Sequence, residues 1–147
     1  MGKVVVEESI IVNASKEKVW QVFKDLGQWP EWNEGVVEAK WVSGEPWAKG
    51  STFQFSAVTG KRKNTFNPII IESNPESQVV WQGKLWSIKA LHTYKFEQVD
   101  QTKTKVTTRE EFSGALLSLG KKFVSEENIR ETFVKSLAKL KEETEKL

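Results

Sequence analysis

The chain has 147 residues, with 22 Lys and Arg against 20 Asp and Glu, one His and no Cys. That length fits one domain, 1–147, able to bury a single core with room for a cavity. A net charge of +2 spread along the chain leaves no footprint for nucleic acid or an anionic membrane, and the missing thiols exclude disulfides, thiolate catalysis and thiolate-bound metal.

The first residues lack the apolar core of a signal peptide, and no segment approaches a membrane span, so a cytoplasmic protein is expected. Gly2 does not signal myristoylation, because Val6 stands where Ser or Thr is wanted. Residues 3–12 are rich in β-branched side chains and predict a strand. "NAS" ends it, and Ser15 is placed to cap a helix with Glu17 in its first turn. Val19, Val22, Phe23 and Leu26 recur on one face of that helix, which Gly27 is expected to end. "QWPEWN" then allows one short helical turn, with Pro30 in its first turn and Gly35 closing the segment.

Strands are expected over 36–43, 51–58, 62–73, 78–86, 88–99 and 103–113. The turn-formers "SGEP", "TGK", "SNPES" and "VDQTK" punctuate them, and the short spacings predict hairpins in an antiparallel sheet. Lys61-Arg62-Lys63 falls at one such turn and reads as a solvated hairpin end. Ala90, His92, Tyr94 and Phe96 share one face of their strand; Val106, Thr108, Glu110 and Phe112 share one face of the next. Residues 117–146 read as a helix whose stripe of Ile129, Phe133, Leu137 and Leu140 must be buried on the sheet.

Seven tryptophans (Trp20, Trp29, Trp32, Trp41, Trp47, Trp81 and Trp86) stand beside eight Phe and one Tyr. Such side chains suit the walls of an apolar pocket, and they also fill cores. No G-x-S-x-G, H-E-x-x-H, Walker loop or dinucleotide fingerprint occurs.

Four stretches resemble one family. "ASKEKVWQVFKDLGQWPEWN" (14–33) looks like an opening helix pair, and "SGEPWAKGSTFQF" (43–55) like a second hairpin. "VVWQG" (79–83) with "LHTYKFE" (91–97), and "TKVTTREEFSG" (104–114), resemble the later strands. Together they resemble the START-like helix-grip (SRPBCC) superfamily, in its polyketide cyclase/dehydrase and lipid-transport branch. The resemblance implies an α+β helix-grip fold: a curved antiparallel sheet of about seven strands wrapped around a long C-terminal helix, with two short helices after the first strand. In that fold the short helices plug one end of the sheet and the long helix closes its mouth. Trp29 and Trp32 would be wedges there, forced together by Gly27 and Pro30, or would simply seal the core.

The resemblance also implies binding or transport of a hydrophobic small molecule such as a lipid, isoprenoid or polyketide-like aromatic. A cyclase or dehydratase on such a ligand, and a co-chaperone-like interaction module, are the alternatives. Strand alternation and the helix stripe nominate Phe53, Phe55, Trp81, His92, Tyr94, Phe96, Glu110, Phe112, Phe133 and Leu137 as cavity lining. His92 is the single histidine, and Glu110 falls opposite or diagonal to it on the next strand. The two are candidates for an acid–base pair, each moving the other's pKa toward neutrality, or for a polar pair that shapes the pocket. One histidine and scattered carboxylates predict no metal site, and no cofactor is expected. Glu126 and Arg130 either grip a ligand at the cavity mouth or, with Ser125 as cap, lie in a solvated first turn. A monomer or weak homodimer, without nucleic acid or stable membrane association, is expected.

Overall fold

The computed structural model describes residues 3–85, 87–114 and 125–147. Strand β1 (Val4–Val12) leads into α1 (Lys16–Phe23), a 3-10 turn (Leu26–Gln28) and the four-residue α2 (Trp29–Trp32). Seven more strands follow: β2 (Val36–Ser43), β3 (Thr52–Thr59), β4 (Arg62–Phe66), β5 (Ile69–Asn74), β6 (Gln78–Leu85), β7 (Ile88–Asp100) and β8 (Lys103–Ser113). Helix α3 (Glu126–Glu145) closes the chain. All strand pairs are antiparallel, in the order β1-β8-β7-β6-β5-β3-β2 with β4 paired to β3. This is the expected α+β helix-grip fold.

The expected strand 62–73 is two strands. Pro68 has no N–H to give to a ladder, and β3 therefore changes partner. Phe55 pairs with Phe66 on β4, while Thr52 pairs with Ile69 on β5. Register shifts at Val36/Glu38, Trp41/Ser43, Ile70/Glu72 and Gln98/Asp100 mark bulges, which bend strands and let the sheet curl.

The helix ends follow local chemistry. Ser15 caps α1 by accepting from Lys18 N, as expected. Gly27 does not end that helix: Lys24 is the C-cap in the right-handed region, and Gly27 lies inside the 3-10 turn. There the Asp25 carboxylate accepts from Gly27 N at 3.0 Å. Pro30 stands in the first turn of α2, and Gly35 leaves the segment at φ 84°. Ser125 caps α3 by accepting from Asn128 N, so Glu126 is solvated in the first turn. Arg130 is exposed, paired with the Glu8 carboxylate and the Glu7 carbonyl. The part of the expected helix over 117–124 lies outside the described residues. At 20 residues, α3 spans about 30 Å, packing on β1, α1 and α2.

The core is an aromatic cluster built around Phe23. Its ring centroid lies 4.6 Å from Tyr94, 5.1 Å from Phe96, 5.2 Å from Trp47 and 5.7 Å from both Trp20 and Trp32. Trp29 and Trp32 are wholly buried where α2 meets the sheet. Trp29 Nε1 donates to the Phe23 carbonyl at 2.9 Å, and Trp47 Nε1 to the Lys24 carbonyl at 2.8 Å. Wedge and core seal are therefore one role here. Rings at 4.5–7 Å in tilted and edge-on arrangements are what aromatic quadrupoles favour.

Candidate functional site

One rung of the sheet crosses five strands: Ile70 pairs with Trp81, Trp81 with His92, His92 with Glu110, and Glu110 with Val6. Alternation puts the polar pair on the concave face in the middle of that rung. His92 Nδ1 stands 3.6 Å from Glu110 Oε2, with side-chain exposures of 14% and 20%. Its ring lies 4.7 Å from Trp81, 5.2 Å from Tyr94 in a stack, and 5.3 Å from Phe133, which α3 lays over it. Phe112 continues the face beyond Glu110, half-buried opposite Ala90.

Thr108, not nominated from the sequence, organises this pair. It is fully buried. Its Oγ1 lies 2.7 Å from His92 Nε2, and Tyr94 stacks on the same imidazole at 5.2 Å. Thr108 can donate to His92 Nε2 with the His92 proton on Nδ1, the side that faces Glu110. The available signal was its position: alternation already placed Thr108 on the Glu110 face.

Burial moves the two titratable groups in opposite directions. It pushes the His92 imidazole down to about 3 and the Glu110 carboxyl up to about 7, because a low-dielectric site penalises whichever form is charged. Tyr94 is pushed up by the same cause. Of the pair, only Glu110 moves toward neutrality. The site thus offers a neutral, hydrogen-bonded imidazole and a carboxyl able to exchange a proton near physiological pH.

Five of the nominated residues meet here: Trp81, His92, Tyr94, Glu110 and Phe133. Phe112 extends the group. Phe53, Phe96 and Leu137 are buried in the core cluster, and Phe96 packs on Trp20 and Phe23 at the closed end. Phe55 is half-buried and stacks on Phe66 at 5.1 Å. The concave face therefore has two halves. Around Phe23 it is filled by rings; around His92, Glu110 and Phe112 it is half-open.

Two surface grooves are formed by other residues. One, of about 700 Å³, lies between α1 and β2 and includes Lys24, Lys40, Trp41 and Trp47. The other, of about 370 Å³, lies between the β3–β4 turn and α3. Neither is lined by the ten nominated residues. Among the described residues no group of His, Asp or Glu is arranged to hold a metal ion, and no helix is long and apolar enough to cross a membrane.

Comparison with solved structures finds this fold repeatedly. The Zhui aromatase/cyclase from Streptomyces sp. R1128 is 14% identical, with 98% of this chain and 94% of that one covered and a TM-score of 0.74. Norcoclaurine synthase from Thalictrum flavum is 13% identical over 98% and 97%, with a TM-score of 0.70. The major latex-like protein 151 of Panax ginseng is 9% identical over 97% of each chain, with a TM-score of 0.79. No curated protein matches the sequence. The family described as polyketide cyclase / dehydrase and lipid transport matches residues 3–145, nearly the whole chain, and the protein belongs to that family.

Proposed function

We propose that the protein binds, and by binding carries, a hydrophobic small molecule on the concave face of its sheet. The place is the half-open end formed by Trp81, His92, Glu110, Phe112 and Phe133. The observation that supports this is the division of the face: one end is packed with rings, whereas the other keeps a polar pair partly exposed beside aromatic walls. A mostly apolar surface with a few placed polar groups is what small-molecule sites offer. Phe53 packs on Trp81 at 5.6 Å and, with Phe96 and Leu137, buttresses this wall from the ring-packed core beside it, while Phe55 stacks on Phe53 further along. Solved proteins of the same fold include one named as an aromatase/cyclase and one crystallised with a transition-state analogue, which is compatible with an apolar, ring-bearing ligand.

The test is native mass spectrometry of freshly purified protein, followed by extraction and rebinding of whatever is released. A bound apolar molecule is expected, lost in Phe112→Lys and kept in Lys40→Ala, a change to an exposed side chain of the outer groove. Protein that carries nothing, and takes up no apolar aromatic on addition, refutes the reading and favours an interaction module.

A second reading, an enzyme of the cyclase or dehydratase kind, rests on Glu110 alone. A carboxyl raised to about 7 is matched to proton transfer near neutral pH. His92, held neutral and engaged by Thr108, would orient rather than exchange the proton. With the released ligand as substrate, Glu110→Gln would then keep affinity within about tenfold yet slow turnover about a hundredfold or more.

A further inference from the structure

Resting on the ligand-binding reading above, we infer that the occupant is uncharged and carries an oxygen acceptor at its inner end, received by the indole N–H of Trp32. Trp32 is 0% exposed, and its Nε1 has no hydrogen-bond partner among the described residues. Trp29 and Trp47, by contrast, both spend their indole protons on backbone carbonyls. A buried donor without a partner has given up its bond to water for nothing, so native proteins seldom keep one without a use.

The orphan stands on the ring-packed side, one ring removed from His92. The Trp32 ring lies edge-on to Tyr94 at 6.2 Å, and Tyr94 stacks on His92 at 5.2 Å. His92 and Thr108 satisfy each other, whereas Trp32 keeps a donor left over. An indole N–H donates and cannot accept, so its partner must be an acceptor: a carbonyl, ether or hydroxyl oxygen.

Charge narrows the class further. Every buried polar side chain among the described residues is a serine or threonine, and none is a lysine or arginine. A carboxylate or phosphate brought to this end would lose its water without gaining a buried cation to pair with. The cost of an unpaired buried charge far exceeds what one indole bond returns. A ketone, quinone or alcohol on an aromatic or isoprenoid body meets both conditions.

The test uses three naphthalenes of one shape: 2-acetonaphthone, 2-ethylnaphthalene and 2-naphthoate. Each is titrated against wild type and Trp32→Phe by tryptophan fluorescence, with the indole ¹⁵N–¹H resonance of Trp32 followed in wild type. The ketone is expected to bind about fivefold more tightly than the hydrocarbon, the difference one neutral hydrogen bond makes. The carboxylate should bind at least about tenfold more weakly than the ketone. Trp32→Phe should erase the ketone's advantage while leaving the hydrocarbon in place, and the Trp32 indole proton should move downfield with the ketone alone. Equal binding of ketone and hydrocarbon with a still indole resonance means that trapped water already satisfies Trp32, which overturns the inference and leaves the binding reading standing. Tightest binding of the carboxylate overturns the uncharged class. Failure of all three to bind removes the binding reading itself. If Trp32→Phe does not fold, the wild-type resonance and the order of the three affinities decide alone.

Discussion

Removing one partner of the His92–Glu110 pair should give the protein a pH-dependent stability that the intact pair conceals. In the folded state Glu110 keeps its proton up to about pH 7 while His92 is neutral down to about pH 3. Unfolded, the glutamate ionises near 4.5 and the histidine protonates below 6.5. Between those ordinary values both states hold one proton, on opposite partners, and the net slope is close to zero. In Glu110→Gln only His92 remains: the unfolded chain binds a proton the folded one refuses, so stability rises with pH up to about 6.5. In His92→Gln only Glu110 remains: the folded chain holds a proton the unfolded one releases, so stability falls as pH rises through about 7. Each slope is about 1.4 kcal/mol per pH unit, or on the order of 2–3 kcal/mol across the two units, with opposite signs. Both shifts arise from burial and not from the partner, so each survives its partner's removal.

Urea unfolding followed by tryptophan fluorescence, at steps from pH 4.5 to 7.5, measures all three proteins. Glu34, Asp100 and Glu145, whose pKa values are lowered by Lys139, by Thr102 and by Lys141 respectively, add slopes in the acid part of the range. Those slopes are common to all three proteins and cancel in the differences. Parallel profiles for wild type and Glu110→Gln between pH 5 and 6.5 would falsify the assignment of a raised carboxyl at Glu110.

Ser136 is buried on α3, where it accepts from Glu34 N at 2.9 Å and donates to Asn33 Oδ1 at 3.3 Å. Ser136→Ala should cost about 1–3 kcal/mol in denaturant unfolding, because it strips a partner from the turn after α2; a neutral result would mean water reaches Glu34 N. Gly114 has φ 142°, and a Cβ there would sit 2.2 Å from the Ser87 carbonyl oxygen. Gly114→Ala should therefore lower stability by more than about 2 kcal/mol, and a thermal midpoint unchanged within error counts against that backbone geometry.

Much of this molecule was legible because its signals are periodic or stereochemical. Alternation along 88–99 and 103–113 put His92 and Glu110 on one face, and the structure pairs them directly. The cap at Ser15 and the proline-led turn at Pro30 follow from local hydrogen bonding and ring geometry. What was hidden depends on distances between elements. Alternation says that Phe53 and Phe96 face inward, but not that tryptophans from α1, α2 and the β2–β3 loop occupy the space before them. It cannot say that Phe55 will pair with Phe66 after Pro68 divides a strand. The opposed pKa shifts were equally hidden, since both come from burial, a property of the assembled sheet.

The two indole bonds at the end of α1 bear on how that helix comes to stop. Its last turn leaves carbonyls that a glycine in the left-handed region commonly helps to satisfy; here Phe23 and Lys24 instead receive N–H groups from Trp29 and Trp47. Trp29 arrives from the next helix, but Trp47 arrives from a loop 23 residues further on. Termination of α1 is thus a long-range event, completed only when the β2–β3 connection has folded back across it. A peptide ending before that loop would have a frayed last turn. Phenylalanine at either position would fill nearly the same volume yet leave a carbonyl without its donor, which is a reason for tryptophan there that has nothing to do with a ligand.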